Sequence, residues 1–216
     1  MGDRCLLYYI TDRSQFRGDE SDRRRALLAK VSEAASAGVD YIQLREKDVG
    51  TRELELLARV AVAAVRESSS STRLLINSRT DVALAAGADG VHLRADDLSV
   101  WEAHAVVQLA GHRPLTTNHF LVAASCHSNE DVMRAEGADF AVFAPVFGKR
   151  GNAGTPPAGL TALREACRAN IPVLALGGVT IENAAPCLNA GAAGVAGIRL
   201  FQENKIADVV RALRAL

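Results

Sequence analysis

Polar and basic side chains follow a short apolar segment of the chain in the order Gln43, Arg45 and Lys47. Alternate residues of a strand point to the same face, so Gln43 and Arg45 share one face and Lys47 can follow them. Two cations beside an amide are suited to binding a phosphate group. The alternative is that Arg45 forms an ordinary ion pair with Glu46 or Asp48.

Ser125 and His127 end another apolar segment, in the order Ser125-Cys126-His127-Ser128. Histidine has an ordinary pKa of about 6.5, which suits it to act as an acid or a base near neutral pH. Ser128 is followed three residues later by Asp131, a spacing typical of a helix cap. We therefore predict that His127 and Ser125 are catalytic and that Ser128 is structural.

Asn77 ends a third apolar segment, and Asp96 and Asp97 follow a fourth. Amide and carboxylate oxygens can orient a heterocycle or bind a hard cation. The two aspartates also precede a predicted helix from Ser99, and the helix dipole accounts for at least one of them. His92, inside the fourth segment, is as easily explained by packing as by function.

Gly177 and Gly178 follow one of the later apolar segments, and Gly197, Ile198 and Arg199 end the next. Glycine allows a ligand to approach the backbone closely, and free backbone amides near a helix start bind phosphate. Arg199 adds a positive charge. These five residues form the predicted phosphate site.

Four glycines, at positions 38, 87, 137 and 191, each precede a short apolar segment. A spacing of about fifty residues has room for two strand–helix units, since each unit takes roughly 25 residues. The apolar segments lack the alternation of half-exposed strands, as is typical of buried parallel strands. Further strands are expected at Leu6–Ile10, Arg73–Asn77, Leu121–Ser125 and Pro172–Leu176, and helices at Arg23–Ala37, Thr51–Glu67, Ile181–Ala190 and Ile206–Leu216.

This order predicts an α/β protein, a single (β/α)8 TIM barrel that spans residues 1–216. The alternative is an open doubly wound sheet, which leaves two edges to protect. In a barrel the residues that follow the strands gather at one end. The polar groups above are therefore expected at one mouth.

The composition excludes some kinds of partner. Twenty-five Lys and Arg residues balance twenty-five Asp and Glu residues, so no excess charge favours a nucleic acid or an anionic membrane. Scattered cysteines without a CxxC pair fit a reducing compartment, and the N-terminus lacks the apolar core of a signal peptide. We predict a cytoplasmic protein without nucleic-acid or membrane partners, and leave a homo-oligomer open.

Taken together, six motifs resemble the thiamine phosphate synthase and TenI family, in order and over nearly the whole chain. They are Tyr9-Ile10-Thr11-Asp12, Gln43-Leu44-Arg45-Glu46-Lys47, Ile76-Asn77-Ser78-Arg79, Gly90-Val91-His92-Leu93, Ser125-Cys126-His127 and Leu176-Gly177-Gly178. The resemblance implies a thiazole phosphate, a small phosphorylated heterocycle, as ligand. It also implies that Gln43, Arg45 and Lys47 line a pyrimidine diphosphate region in a synthase, and that the glycine segments hold the thiazole phosphate.

The chain departs from the synthase pattern where that pattern implies magnesium. Ser78 stands in place of a metal-binding aspartate, and Arg94-Ala95 replaces a Gly-Gln pair, so Asp97 is a metal ligand only if the protein is a synthase. A hydroxyl is a poorer ligand than a carboxylate for a hard cation. The expected diphosphate loop lacks its hydroxyls and leaves Lys149 as a substrate-binding candidate.

These departures favour a TenI-like thiazole tautomerase, which moves a proton through His127 and needs no cofactor. The first alternative is a thiamine phosphate synthase, which condenses hydroxymethylpyrimidine diphosphate with thiazole phosphate and uses magnesium. The second is a non-catalytic regulator that only binds thiazole phosphate.

Overall fold

Eight parallel strands close into a barrel in a computed structural model that describes residues 4–68, 71–111, 119–148 and 156–216. Each strand pairs with its neighbours in chain order, and the last pairs with the first. The strands are β1 (Leu6–Ile10), β2 (Tyr41–Leu44), β3 (Arg73–Asn77), β4 (Gly90–Leu93), β5 (Leu121–Cys126), β6 (Phe140–Phe143), β7 (Val173–Ala175) and β8 (Gly194–Gly197). The predicted (β/α)8 barrel is confirmed.

Helices follow the strands around the outside of the barrel. They are α1 (Glu20–Ser36), α2 (Thr51–Glu67), α3 (Thr80–Ala86), α4 (Val100–Leu109), α5 (Asn129–Arg134), α6 (Gly159–Ala166), α7 (Ala184–Asn189), α8 (Arg199–Gln202) and α9 (Ile206–Arg214). None of the described helices is long and apolar enough to cross a membrane. Cys5, Cys126, Cys167 and Cys187 are all unpaired.

The helix predicted over Ile181–Ala190 begins later than expected. Asn183 closes a turn before it, because its Oδ1 accepts from the Thr180 amide at 2.7 Å and its Nδ2 donates to the Gly178 carbonyl at 3.0 Å. The chain therefore turns through residues 181–183 and becomes helical at Ala184. The strand predicted from Pro172 likewise shortens to β7.

The barrel interior is filled by side chains that alternate with those facing the helices. Tyr8 and Phe140 are fully buried there, with ring centroids 5.3 Å apart in an edge-to-face arrangement. Tyr9, the neighbour of Tyr8, points outward and contacts Phe201. This alternation places the polar end of Tyr8 among the inward side chains of β2 and β4.

Candidate active site

A buried chain of hydrogen bonds links four strands inside the barrel. The Tyr8 hydroxyl accepts from Gln43 Nε2 at 3.0 Å and lies 3.0 Å from His92 Nδ1. His92 Nε2 in turn lies 2.8 Å from Ser125 Oγ. Gln43 and His92 are almost completely buried, so the chain is shielded from water until Ser125.

The donors in this chain can be assigned from the number of hydrogens available. Gln43 Nε2 can only donate, so His92 Nδ1 is the one acceptor that the described residues offer to the single hydrogen of the buried Tyr8 hydroxyl, and Tyr8 donates to it. Neutral His92 then carries its proton on Nε2 and donates to Ser125. The Ser125 hydroxyl makes no other hydrogen bond among the described residues, so its own hydrogen is available to a ligand.

His92 is held neutral by its surroundings. Burial lowers its pKa to about 3, with the nearby positive charge of Arg45 as a smaller cause. Both of its ring nitrogens are already engaged, by Tyr8 and by Ser125, so neither has a lone pair left for a substrate proton. Sequence reasoning left open whether His92 is packed or functional, and did not identify its partner Tyr8, which lies 84 residues away in the chain.

His127 lies exposed just beyond β5. Its Nδ1 is 2.8 Å from the Ala144 carbonyl, which can only accept, so Nδ1 carries the proton. The lone pair of Nε2 is then left for a substrate proton. Ser128 caps α5 in a capping box with Asp131, as predicted, and the same carboxylate accepts from the His127 amide at 2.8 Å.

Arg45 does not form an ion pair with Glu46 or Asp48, which was the alternative to phosphate binding. Glu46 and Asp48 instead bind Arg13, at 3.1 and 2.6 Å, and the Arg13 side chain is 6% exposed. The Arg45 guanidinium makes no hydrogen bond or ion pair among the described residues, and burial lowers its pKa. Lys47 is exposed and does have a contact within the protein.

The carboxylate of Asp97 is already engaged. Ser78 Oγ lies 2.6 Å from both of its oxygens, the Arg94 amide donates to it at 2.7 Å, and Arg94 Nη2 lies 3.2 Å away. Ser78 adopts a left-handed backbone with φ +68°, which directs its hydroxyl to Asp97. Ser99 and Glu102 form the capping box of α4, and Asp96 and Asp97 lie just before it, where the helix dipole favours acidic residues.

These residues do not fit a magnesium ion. Such an ion binds through one or two carboxylates and keeps several waters, whereas Asp97 faces a guanidinium and a hydroxyl donor. The described residues contain no cluster of three acidic, histidine or cysteine side chains around one point. Asn77, predicted to bind substrate, ends β3 in register with His92 of β4.

The predicted phosphate residues surround one cavity of 890 Å³ at the ends of β7 and β8. Its wall includes Gly177, Gly178, Gly197, Ile198 and Arg199. Gly177 and Gly178 have φ of +96° and +65°, and a side chain on Gly178 would lie 2.8 Å from the Gly148 carbonyl. Only glycine fits this turn without strain.

The backbone amides of this cavity are available to an anion. The N–H groups of Gly178 and Ile198 make no hydrogen bond among the described residues. Arg199 is exposed beside them, and its side chain likewise makes no hydrogen bond or ion pair there. We call the segments 177–178 and 197–199 the phosphate cup. Lys149, predicted to bind substrate, lies outside the described residues.

The closed barrel, with these groups gathered at the carboxyl ends of its strands, defines a (β/α)8-barrel enzyme. Residues 7–201 match the family model described as thiamine monophosphate synthase. The chain therefore belongs to the thiamine monophosphate synthase family and is an enzyme of thiamine biosynthesis.

Individual relatives and a solved structure agree with this assignment. A thiamine-phosphate synthase of Methanoculleus marisnigri is 40% identical over 96% of this chain and 93% of its own length. A putative thiamine-phosphate synthase of Geobacter sulfurreducens is 41% identical over 97% of this chain and 93% of its own. The structure of thiamine phosphate pyrophosphorylase from Pyrococcus furiosus has a TM-score of 0.77 and 29% identity, and the match covers 99% of this chain and 95% of that one.

The names of these relatives favour the synthase, the alternative in the sequence analysis, over the preferred tautomerase. The tautomerase preference depended on the loss of metal ligands, a local feature of Ser78 and Arg94. The relatives match nearly the whole chain, and their names support a function in thiamine biosynthesis.

Proposed function

We propose that the protein joins hydroxymethylpyrimidine diphosphate to a thiazole phosphate, as a thiamine-phosphate synthase does. One observation supports this reaction best: two regions suited to anions lie on opposite sides of a single mouth. The phosphate cup is on β7 and β8, and the basic residues Arg45 and Arg94 follow β2 and β4. In the closed order of eight strands, β4 lies across the barrel from β8.

The two regions match the two substrates. The thiazole phosphate is anchored by backbone amides of the phosphate cup, which places its ring over the mouth. The diphosphate of the other substrate lies toward Arg45 and Lys47. The thiazole nitrogen then attacks the methylene carbon, the carbon–oxygen bond breaks, and pyrophosphate leaves with the electron pair. Positive side chains stabilise the charge that develops on it.

The TenI-like tautomerase is the second candidate, and two observations favour it. His127 presents a free Nε2 while its Nδ1 is held by the Ala144 carbonyl at 2.8 Å, as a general base requires. Asp97 is bound by Ser78 and Arg94, and proton transfer needs no metal there.

A cytoplasmic location and self-association also stay predictions.

One pair of assays separates the candidates. The purified protein is incubated with hydroxymethylpyrimidine diphosphate and thiazole phosphate, and thiamine phosphate and pyrophosphate are measured. A second sample receives the TenI-type thiazole carboxylate phosphate, and tautomerisation is followed. We expect equal amounts of thiamine phosphate and pyrophosphate in the first assay. Turnover in the second assay alone identifies a tautomerase, and turnover in neither identifies a binding protein.

A further inference from the structure

Arg94 occupies an unusual position on the rim of the barrel. Its Nε and Nη2 lie 3.3 and 3.2 Å from Asp97, and Nη2 lies 3.3 Å from Asp96. Its Nη1, which has two hydrogens to donate, makes no hydrogen bond among the described residues. The side chain is 52% exposed, so the guanidinium is held on one edge and open on the other.

Arg45 is near enough for its charge to interact with that of Arg94, and its guanidinium makes no hydrogen bond or ion pair among the described residues. Burial is the main cause that lowers the pKa of Arg45; the carboxylates of Asp12 and Glu46 oppose it, and the positive charge of Arg94 adds to it. The acidic groups that follow Arg45 in the chain are bound by Arg13, and Asp97 is shared between Arg94 and Ser78. Both guanidinium groups thus keep hydrogen-bond donors that no described residue uses, and an anion bound by these donors would stabilise the two neighbouring positive charges.

We propose that Arg94, together with Arg45, binds the diphosphate group of the substrate and takes the place of a divalent cation on this rim. The inference rests on the proposed function only for the identity of the anion. Asp97 fixes one edge of the guanidinium, as it would fix a bound ion. When the carbon–oxygen bond breaks, the leaving oxygen keeps the electron pair, and the open N–H groups of Arg94 donate to the pyrophosphate formed. No proton is transferred.

The alternative is a purely structural role, in which Arg94 only holds the Asp97 side chain in its position. Ser78 already binds both Asp97 oxygens at 2.6 Å, so the Asp97 carboxylate is held in position without the guanidinium. If the role is only structural, replacing Arg94 has no effect on anion binding as long as the protein stays folded. The two roles therefore differ in a measurement that involves no turnover.

The test is calorimetric titration with inorganic pyrophosphate in the presence of EDTA. We expect the native protein to bind it without magnesium, and Arg94→Ala to weaken binding roughly 10- to 100-fold, as for loss of charge-assisted hydrogen bonds. Arg94→Lys should recover only part, because an ammonium cannot donate as a fork. Arg211→Ala, which removes an exposed arginine of α9, is the matched control and should bind normally.

Two outcomes would overturn the inference. The first is pyrophosphate binding that requires magnesium in the native protein. The second is normal binding by folded Arg94→Ala together with loss in Arg199→Ala, which would place the anion in the phosphate cup. Because the titration needs no turnover, it succeeds or fails separately from the condensation assay.

A gain of metal binding tests the same idea in reverse. Ser78→Asp with Arg94→Gly adds a carboxylate and removes the guanidinium beside Asp97. Aspartate tolerates the left-handed backbone of position 78 better than most residues. We expect the double variant to bind Mg²⁺ and the native protein to bind it at least tenfold more weakly. Tight Mg²⁺ binding by the native protein would contradict the replacement of the ion by Arg94.

Discussion

At the scale of single residues, Tyr8 sets the direction of the hydrogen bonds that end at Ser125. Tyr8→Phe removes the donor to His92 Nδ1, so His92 can adopt the other tautomer and Ser125 loses its fixed orientation. We expect kcat to fall about tenfold with little change in KM. The ¹⁵N chemical shifts of His92 should report a mixture of tautomers.

Tyr41→Phe is the control for this prediction. Tyr41 packs against the same ring of Phe140, with centroids 4.7 Å apart, but its hydroxyl is outside the hydrogen-bonded chain. It should leave kcat and the His92 tautomer unchanged. Equal losses in both variants would mean that packing, rather than the direction of the hydrogen bonds, supports activity.

His127 distinguishes the two candidate reactions at the same scale. Condensation takes no proton from carbon, so His127→Ala should change the rate of thiamine phosphate formation less than about fivefold. Tautomerisation depends on an acid or base, and its kcat should fall roughly 10²–10⁴-fold. Both rates are measured on one preparation of folded protein. A large loss of condensation with intact substrate affinity would assign His127 a role in the synthase reaction.

At the scale of the elements, the turn after β7 depends on a residue without a side chain. Gly178→Ala adds a Cβ 2.8 Å from the Gly148 carbonyl, at a backbone angle of +65°. We expect the affinity for thiazole phosphate, measured by calorimetry, to fall at least tenfold because the amide of residue 178 shifts. Gly111→Ala has the same kind of backbone, φ +61°, and open space around it, so it measures strain alone.

The elements were predictable from the sequence because they depend on local patterns. Buried parallel strands are short apolar runs, and Leu6–Ile10 and Arg73–Asn77 occur with the predicted bounds. The glycines at 38, 87, 137 and 191 all have positive φ, as the repeat indicated. The shorter α7 depends on the side chain of Asn183, which a periodicity does not reveal.

The site was only partly predictable because its contacts join distant residues. The two glycine segments predicted to bind phosphate do line one cavity, and their binding of phosphate stays a prediction. Arg13 binds Glu46, which was an expected partner of Arg45, although the two residues are 33 positions apart in the chain. The Arg94–Asp97 pair is local, three residues apart, and its spacing could have indicated that Asp97 was engaged.

At the scale of the whole molecule, the buried neutral His92 makes stability depend on pH. Its pKa is about 3 in the folded protein against about 6.5 in an unfolded chain. Between these values the unfolded chain binds a proton that the folded one does not. This contribution to the free energy of unfolding is therefore complete above pH of about 6.5 and falls by about 1.4 kcal/mol per unit as the pH drops toward 3.

Urea unfolding at several pH values checks this expectation. The stability of His92→Gln should decline less steeply than that of the native protein between about pH 6 and pH 4. His104→Gln, on the outer helix α4, separates the loss of any histidine from the loss of this one. Parallel curves for the native protein and His92→Gln would show that His92 is not the source of the acid sensitivity.

The phosphate cup is built from main-chain atoms, whereas the opposite rim is built from side chains. The two sides of the mouth therefore respond differently to mutation. Point mutations readily exchange Ser78, Arg94 or His127, but they leave the amides of Gly178 and Ile198 in place as long as the turns persist. Related barrels can therefore keep the same backbone site for phosphorylated compounds while substitutions on the opposite rim change the reaction.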